Sequence, residues 1–290
     1  MAIQEFLTPR SLTEAHQAFT ATESSWLAGG TDLLVGIRLG SRDPRRVIDL
    51  KQIPELTTLD ATGDHWTVGA AVSAYDVLRH DSFASDFPGL VEALELIGST
   101  QIQGRCSAGG NLCNASPAAD SIPALIANGA QCRISGPNGE RTLPVEEFVL
   151  GPNHNALASD ELLVAILLPR PVERTADAYL RLTPRTEMDI AVAGAGVSIS
   201  LDGAGRCAAA RVAIGAVAPK ALWVEEAGTA LVGSALDPDA VEHAVAAARA
   251  AAQPISDKRG SADYRRHVVG VLVKRAIERA QLRIKEGEAA

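Results

Sequence analysis

The sequence predicts an α+β protein made of two parts, and three features indicate this class. Short strand patterns alternate with short helix patterns up to about residue 170. A polar, proline-containing stretch, RPVERTADA at 170–178, then has the composition of a linker. Beyond it, two long strand patterns joined by Gly-Ala-Gly predict an antiparallel hairpin, and the remaining sequence is alanine-rich and helical.

The elements of the first part are short and clearly bounded. Ser11 and Glu14 form a capping box, which predicts that a helix starts at that serine. A second helix is predicted from Pro88 to Gly98, because proline favours the first helical turn and glycine ends helices. Apolar runs predict strands at 47–50, 65–72 and 161–169, and a further helix is predicted at 119–130.

The second part combines long strands with alanine-rich helices. Its strand patterns span 190–202 and 206–217. Helices are predicted at 221–231, 238–252 and 261–285, where strong helix formers dominate. We therefore expect a small sheet accompanied by helices.

Composition and charge disfavour several classes of function. The net charge is −8 and aromatic residues make up 4%, so neither phosphate neutralisation nor base stacking is favoured, and no nucleic-acid partner is expected. The longest apolar run, at 162–168, is too short to cross a bilayer, and the first residues show no signal-peptide pattern. We therefore expect a cytoplasmic protein without a membrane span. The cysteines form no C-x-x-C pair and are expected to be reduced thiols: Cys106, Cys113, Cys132 and Cys207.

Two glycine pairs far apart in the chain are the main functional signal. Residues 27–33 read LAGGTDL and residues 107–117 read SAGGNLCNASP. Glycine destabilises the middle of a helix or strand by roughly 0.5–1 kcal/mol relative to alanine, so both stretches are predicted to be loops. Glycine turns can point several backbone N–H groups into one concavity that holds phosphate. Either loop alone fits a structural turn equally well, but the pair indicates a pyrophosphate gripped from two sides, and hence a dinucleotide.

Polar side chains beside the glycines fit this interpretation. Asp32 would repel a pyrophosphate, so we expect its side chain to turn back and cap the turn that follows. Asp120 opens the next predicted helix, and either caps that helix or accepts a hydrogen bond from a cofactor hydroxyl. Neutral donors are available at Thr31, Ser107, Asn111 and Ser116.

The motifs of competing nucleotide sites and hydrolases are missing from the sequence. No G-x-G-x-x-G opens a helix after a strand, which disfavours a Rossmann site, and no G-x-x-x-x-G-K-[ST] is present. There is also no G-x-S-x-G nucleophile elbow and no H-E-x-x-H pair. The six histidines are scattered, and no metal ligand is predicted.

Four stretches of the sequence together carry a resemblance to a known family. They are AGGTDLL at 28–34, SAGGNLCNASPAAD at 107–120, RTEMDIAVAGAGV at 185–197 and PISDKRGSADYRRHVVGVLVKRA at 254–276. With these stretches the sequence resembles the FAD-binding (medium) subunits of molybdenum hydroxylases, a family that includes the medium subunit of carbon monoxide dehydrogenase and the flavin subunits of xanthine dehydrogenases. They follow the family's order and span nearly the whole chain, which makes the resemblance specific.

The resemblance implies a fold with two domains. An FAD-binding domain of the vanillyl-alcohol-oxidase type would occupy 1–172, with subdomains at about 1–55 and 56–172 and FAD between them. A C-terminal domain with a three-stranded antiparallel sheet and helices would occupy 173–290.

The resemblance also implies the FAD contacts. The two glycine stretches would surround the pyrophosphate, and Leu163 would pack near the adenine or the isoalloxazine. Arg181 stands where relatives often carry a lysine near the flavin ring, and Ile190 falls where the family places an apolar or tyrosine side chain against the isoalloxazine face. The implied cofactor-binding residues are Leu27, Ala28, Gly29, Gly30, Thr31, Asp32, Leu33, Ser107, Ala108, Gly109, Gly110, Asn111, Ser116, Asp120, Leu163, Arg181 and Ile190.

Two departures from the family pattern bear on these expectations. Ala108 replaces the usual branched residue before the second glycine pair, so the packing beneath that stretch is expected to differ. The chain lacks the four-cysteine insertion of benzoyl-CoA-reductase-type relatives, so their additional iron–sulfur cluster is not expected.

The function implied by the resemblance is electron transfer without substrate chemistry in this chain, so no catalytic acid, base or nucleophile is expected here. FAD would receive electrons from the [2Fe-2S] clusters of a small partner subunit and pass them to an external acceptor of unknown identity. A large partner subunit would hold molybdopterin and hydroxylate the substrate, and the complex would be a dimer of heterotrimers.

Two other functions remain open at this point. A self-contained flavoprotein oxidase of the vanillyl-alcohol-oxidase type would need an aromatic-lined substrate domain, which the low aromatic content disfavours. An assembly subunit that has lost its flavin is disfavoured by the two intact glycine pairs.

Overall fold

A computed structural model describes residues 3–20, 22–186 and 188–289 of the chain. The described residues form these strands, in chain order: β1 (Glu5–Leu7), β2 (Ser24–Leu27), β3 (Arg46–Asp49), β4 (Leu59–Thr62), β5 (His65–Gly69), β6 (Gln131–Gly136), β7 (Gly139–Pro144), β8 (Val149–Gly151), β9 (His154–Asn155), β10 (Leu162–Pro169), β11 (Thr175–Leu182), β12 (Ala193–Leu201), β13 (Cys207–Gly215) and β14 (Leu222–Trp223). The helices in the same ranges are α1 (Leu12–Ala18), α2 (Leu33–Arg38), α3 (Pro54–Thr57), α4 (Ala74–Leu78), α5 (Asp81–Asp86), α6 (Pro88–Glu95), α7 (Thr100–Gln103), α8 (Ala108–Asn114), α9 (Ser121–Ala127), α10 (Val145–Phe148), α11 (Glu225–Leu231), α12 (Pro238–Ala251) and α13 (Ala262–Ala289).

The first sheet is parallel, with strand order β1-β3-β2. Its central strand β3 has Val47 and Ile48 fully buried, which agrees with the apolar run that predicted this strand. The helix predicted at Ser11 is confirmed as α1, where the Ser11 side chain accepts a hydrogen bond from the Glu14 N–H at 3.2 Å. The edge strand β2 leads directly into the first glycine pair, so this sheet positions one wall of the site.

The second sheet is antiparallel, with strand order β4-β5-β10-β6-β7. Its central strand β10 is almost entirely buried, which accounts for the uninterrupted apolar sequence at 162–168. The helices predicted after Pro88 and within 119–130 are confirmed as α6 and α9, although both are shorter than predicted. Gly129 has a positive φ of 64°, which ends the second of these segments as expected for glycine.

The third sheet is antiparallel with order β11-β12-β13-β14, so it has four strands where three were expected. The additional strand β14 is two residues long and pairs Leu222 with Ile214, at the start of a stretch predicted to be helical. The stretch 170–178 is not simply a linker, because β11 begins at Thr175. Its polar Asp177 is buried and binds backbone N–H groups of α6, and polar residues of this kind obscured the strand pattern.

The sheet of the second part packs directly on helices of the first. A Cβ atom at Gly196 of β12 would lie 2.6 Å from the Pro123 carbonyl oxygen of α9, so the strand and the helix are in backbone contact. The Asp177 carboxylate of β11 accepts hydrogen bonds from the N–H groups of Gly89 and Leu90 at the start of α6. This close packing fixes the end of β11 relative to the glycine pairs.

Candidate functional site

One cleft of about 770 Å³ brings the predicted site residues together. Its walls come from residues 28–33, 106–120, 155–163 and 181–190, together with parts of β2 and α7. The volume lies within the roughly 300–1,000 Å³ range of cofactor and small-molecule sites. Two of the implied contacts face the protein interior instead of the cleft: Leu27 packs with Leu33 and Val47, and Ala108 packs in the main core.

The two glycine pairs meet at this cleft. Gly29 lies so close to the backbone before the second pair that a Cβ atom would sit 1.8 Å from the Arg105 carbonyl oxygen. Real Cβ contacts under 3.0 Å essentially do not occur, so a side chain here would push the two segments apart. Gly30 follows with a positive φ of 83° and turns the chain into α2. Two stretches far apart in sequence therefore form one continuous surface.

The second glycine pair is in a helix, which corrects the prediction of a loop. Gly109 and Gly110 lie in the first turn of α8, and the Ser107 side chain caps that turn by accepting a hydrogen bond from the Gly110 N–H at 3.0 Å. The serine offsets part of the cost of glycine in a helix. A Cβ atom at Gly109 would lie 2.5 Å from the Ala70 carbonyl oxygen, so close packing beneath the helix also requires a glycine here.

The expected role of Asp32 as a capping residue is wrong. Asp32 occupies the N-cap position of α2, but within the described residues its side chain makes no capping hydrogen bond. Its Oδ1 atom instead accepts a hydrogen bond from the Asn114 side chain at 3.4 Å, which connects the end of α8 to the start of α2. The carboxylate thus joins the two glycine stretches a second time.

Asp120 also does not cap its helix. Its Oδ1 atom accepts a hydrogen bond from the Tyr179 hydroxyl at 2.8 Å, and its Oδ2 atom accepts one from Arg181 Nη1 at 2.6 Å. Burial raises the pKa of Asp120 to about 6, against the opposing effects of Arg181 and Tyr179. The aspartate and the arginine are both predicted site residues, and they form a buried ion pair at the cleft wall.

The remaining implied contacts include both polar and apolar groups. The Asn111 Oδ1 atom accepts a hydrogen bond from the Ser121 hydroxyl at 2.7 Å, which fixes the orientation of that amide. Leu163 of β10 is buried and adds apolar surface. Ile190 is half exposed, and its N–H donates to the Asp189 carboxylate at 2.8 Å. The cleft is therefore polar beside the glycine pairs and apolar along other walls.

Several cleft residues were not found by sequence reasoning. Leu96, Ile97 and Ile102 surround Gly98, where a positive φ of 61° turns the chain from α6 towards α7. These apolar side chains look like ordinary core residues in the sequence, and only the glycine between two short helices could have indicated a binding wall. Phe19 and Trp26 also line the cleft, with their rings stacked at 4.2 Å between centroids.

The cysteines are protonated thiols in buried or partly buried positions. All four are free thiols, and burial raises the pKa of the two that line the cleft, to about 11 for Cys106 and about 12 for Cys113. Neutral thiols are poor nucleophiles and poor metal ligands.

The described part of the chain also contains no group of three or more His, Cys, Asp or Glu residues placed to hold a metal ion. None of the helices in the described ranges has the length and apolar character needed to cross a membrane.

Comparison with known proteins identifies this architecture. A family model described as the FAD binding domain in molybdopterin dehydrogenase matches residues 2–171, and one described as the CO dehydrogenase flavoprotein C-terminal domain matches 178–280. The carbon monoxide dehydrogenase medium chain of Afipia carboxidovorans is 35% identical over 280 residues, which covers 96% of each chain. The nicotinate dehydrogenase FAD-subunit of Eubacterium barkeri is 30% identical over 82% of each chain.

Solved structures give the same result. A chain of the Cu,Mo-CO dehydrogenase in its cyanide-inactivated form superposes with a TM-score of 0.92 at 33% identity, covering 98% of this chain and 100% of that chain. A chain of quinoline 2-oxidoreductase from Pseudomonas putida 86 superposes with a TM-score of 0.88 at 27% identity, covering 97% of this chain and 98% of that chain.

The family models and the similar proteins thus define an FAD-dependent oxidoreductase subunit. The chain belongs to the family of FAD-binding medium subunits of molybdopterin dehydrogenases, which includes the medium chains of carbon monoxide dehydrogenase and the FAD-binding subunits of xanthine dehydrogenase. The family resemblance inferred from the sequence is confirmed.

Proposed function

We propose that this chain holds FAD in the cleft and relays electrons from the [2Fe-2S] clusters of a partner subunit to an external acceptor. The observation that carries this proposal is the contact between the first glycine stretch and the backbone immediately before the second, where Gly29 of the cleft packs on the Arg105 carbonyl. A surface made from two such stretches suits a pyrophosphate held largely by backbone N–H groups.

The residues present fit FAD as the bound group. In this proposal, residues 28–33 and 107–111 hold the pyrophosphate, while Ser116 and Asp120 continue the polar surface. The buried Leu163 packs against a ring of the dinucleotide, and the half-exposed Ile190 controls access to the flavin. Leu27 and Ala108 support the two stretches from beneath, because both side chains are buried in apolar clusters.

Arg181 is the residue of this chain that we assign to tuning the flavin. Bound FAD supplies redox chemistry in one-electron and two-electron steps, and the protein supplies binding, orientation and electrostatics. Arg181 lines the cleft while its guanidinium pairs with Asp120, so its charge lies at a fixed place in the wall. Asp120 offsets part of this charge, so we assign the stabilisation of negative charge on the reduced flavin to the remaining N–H donors and the residual positive charge of the guanidinium. We assign no acid, base or nucleophile of this chain to a chemical step.

The assembly we propose follows from the relatives. They are described as a medium chain or as an FAD-binding subunit, which are names for parts of larger complexes. We propose a large molybdopterin subunit and a small iron–sulfur subunit as partners, in a dimer of heterotrimers. Within this chain, residues 1–172 would form the FAD-binding domain and residues 173–290 the C-terminal domain.

The test uses the complex isolated through an affinity tag on this chain. Metal and flavin analysis should find molybdenum, iron and FAD together. After anaerobic reduction, the complex is mixed with oxygen, NAD or a quinone, and the clusters are followed by EPR while the flavin is followed at its visible absorbance. The wild-type clusters should reoxidise with at least one acceptor, and a flavin-free Gly29→Ala complex should reoxidise more slowly.

Two outcomes would contradict the proposal. One is equal cluster reoxidation with and without flavin, which would place the exit of electrons elsewhere. The other is oxidation of a small alcohol by the chain alone with oxygen, which would support a self-contained flavoprotein oxidase.

A further inference from the structure

Tyr179 is a buried tyrosine beside the cleft whose hydroxyl contacts a site residue. We propose that Tyr179 is a positioning residue that orients the Asp120 carboxylate and, through it, holds the Arg181 guanidinium at the cleft wall. The proposal rests on the proposed function, because Arg181 matters only if a flavin occupies the cleft. It adds a residue that does not line the cleft and that no motif indicated.

The three side chains are linked by two hydrogen bonds that both end on the Asp120 carboxylate. The Tyr179 hydroxyl donates to Asp120 Oδ1 at 2.8 Å, and Arg181 Nη1 donates to Asp120 Oδ2 at 2.6 Å. Each carboxylate oxygen therefore has its own donor, and the plane of the carboxylate is fixed from both sides. Tyr179 and Arg181 are two residues apart on β11, whereas Asp120 lies at the start of α9. The two hydrogen bonds therefore connect the second part of the protein to the first.

All three side chains are buried, so the loss of either hydrogen bond would be costly. Tyr179 is 2% exposed and Asp120 is 7% exposed, and the Arg181 side chain is 5% exposed. Burial raises the pKa of Tyr179 well above its ordinary value, and the neighbouring Asp120 raises it further, so the phenol remains a neutral donor at any pH of interest. Removal of the hydroxyl would leave a buried carboxylate oxygen without that partner, which costs more than an exposed hydrogen bond does. The carboxylate would then be free to rotate and to release the guanidinium.

The opposite strand makes room for the hydroxyl. Gly194 of β12 pairs directly with Arg181, and a Cβ atom there would lie 2.6 Å from the Tyr179 hydroxyl oxygen. Since the phenol occupies this space, even alanine at position 194 would have to displace it. Gly194 is therefore part of the same arrangement, although it does not line the cleft.

The test replaces the hydroxyl while keeping the ring. Tyr179→Phe, in the full complex, should move the flavin reduction potential to more negative values. It should weaken FAD binding by at most about tenfold, because the lost hydrogen bond joins two protein side chains and only the part of its energy that reaches Arg181 affects FAD. Tyr75→Phe, at a half-exposed tyrosine of α4, is the matched control and should change neither quantity. Gly194→Ala should reproduce the shift in potential by displacing the hydroxyl.

A double variant separates positioning from a general structural effect. Arg181→Gln removes the charge but keeps a donor for Asp120, so it should lower the potential by itself. If Tyr179 acts through Arg181, adding Tyr179→Phe to Arg181→Gln should produce no further shift in potential. An additional shift of the same size as in the wild-type background, or no shift from Tyr179→Phe alone in protein that retains flavin, would overturn the positioning role. Wild-type protein without flavin in the cleft would overturn the proposed function, and the role of Tyr179 with it.

Discussion

At the scale of single residues, the site depends on a position where no side chain fits. Gly29 faces the carbonyl of Arg105, and a Cβ atom at this position would lie only 1.8 Å from the carbonyl oxygen. A change of side-chain rotamer could not relieve this clash, because the Arg105 group is backbone. The requirement for glycine here comes from close approach between two segments. The φ of Gly29 is not among the positive values in the chain.

Gly29→Ala should separate the two glycine stretches and abolish FAD binding. We expect a loss of about 1–3 kcal/mol in the free energy of unfolding, the usual cost of overpacking. Flavin absorbance per mole of purified protein and the urea midpoint measure the two effects. The control is Gly151→Ala, because a Cβ at this glycine of β8 would meet nothing within 4 Å. Retention of a full complement of FAD by Gly29→Ala would contradict the close contact between the stretches.

At the scale of elements, α8 combines a helix cap with a binding surface. The Ser107 side chain binds the Gly110 N–H, and both residues line the cleft. The cap therefore holds the glycine pair in its helical geometry beside the proposed pyrophosphate position. Loss of a serine cap typically costs about 1 kcal/mol.

Ser107→Ala should therefore lower stability and FAD affinity together. Ser73→Ala removes a comparable cap, in which the Ser73 side chain accepts from the Asp76 N–H of α4 and also donates to the Asp76 carboxylate, but this serine does not line the cleft. Both variants should lose about 1 kcal/mol in chemical denaturation, and only Ser107→Ala should weaken FAD binding in a fluorescence titration. Equal FAD affinity in the two variants would show that the α8 cap does not contribute to FAD binding.

The start of α6 gives a pH-dependent prediction. Burial raises the pKa of Asp177 from 3.8 to about 6, and the hydrogen bonds from Gly89, Asn128 and Leu90 offset this only in part. Because the folded pKa lies above the unfolded value, the contribution of this proton to stability is complete below pH 3.8 and is lost as the pH rises through about 6. Asp177→Asn removes the titration. The stability advantage of wild type over this variant should therefore shrink by roughly 2–3 kcal/mol between pH 4 and pH 7.

Urea denaturation over that pH range tests the sign of this effect. Asp60→Asn, at an exposed aspartate of β4, is the control for removing a carboxylate. If the curves of Asp177→Asn and wild type ran parallel over the whole range, burial would not set the protonation of this aspartate.

The elements also show which parts of the structure could be predicted from the sequence. Strands such as β10 and helices such as α6 follow local patterns, because an uninterrupted apolar run is typical of a buried strand and a proline is typical of a first helical turn. The start of β11 could not be predicted, because Asp177 is polar in sequence yet buried against α6 in the fold. The glycine pair of α8 was predicted to be a loop because the Ser107 cap and the close packing on Ala70 are tertiary features. The same limit hid Tyr179, whose partner Asp120 lies on another element.

At the scale of the whole molecule, the cleft depends on how the two parts are held together. Glu92 of α6 is central to this contact: its Oε1 atom accepts hydrogen bonds from Arg279 at 2.8 Å and Arg283 at 2.5 Å, both on α13. Its Oε2 atom accepts a hydrogen bond from the Tyr179 N–H of β11 at 3.1 Å. One carboxylate thus connects the first part to two elements of the second.

Glu92→Gln should loosen α13 and β11 without altering the cleft directly, since Glu92 does not line it. The ion pairs of Glu92 with Arg279 and Arg283 are partly exposed, with the Glu92 side chain 22% exposed. We therefore expect Glu92→Gln to lower the free energy of unfolding by about 1–2 kcal/mol. Hydrogen–deuterium exchange should show faster exchange in α13 and β11. Glu95→Gln, at an exposed glutamate on the same helix, is the control and should leave both elements protected.

Ligand linkage separates this contact from the site itself. FAD at one fixed concentration, about 100 times the wild-type dissociation constant, should add about 2.7 kcal/mol to the free energy of unfolding of any variant that binds FAD as tightly as wild type. If the Glu92 network only joins the two parts, Glu92→Gln should gain the same increment as wild type, and its deficit should persist in saturated protein. A smaller increment in Glu92→Gln would mean that the network transmits to the cleft through Tyr179, because that residue lies between Glu92 and the Asp120–Arg181 pair. Parallel denaturation of both proteins with and without FAD distinguishes these outcomes.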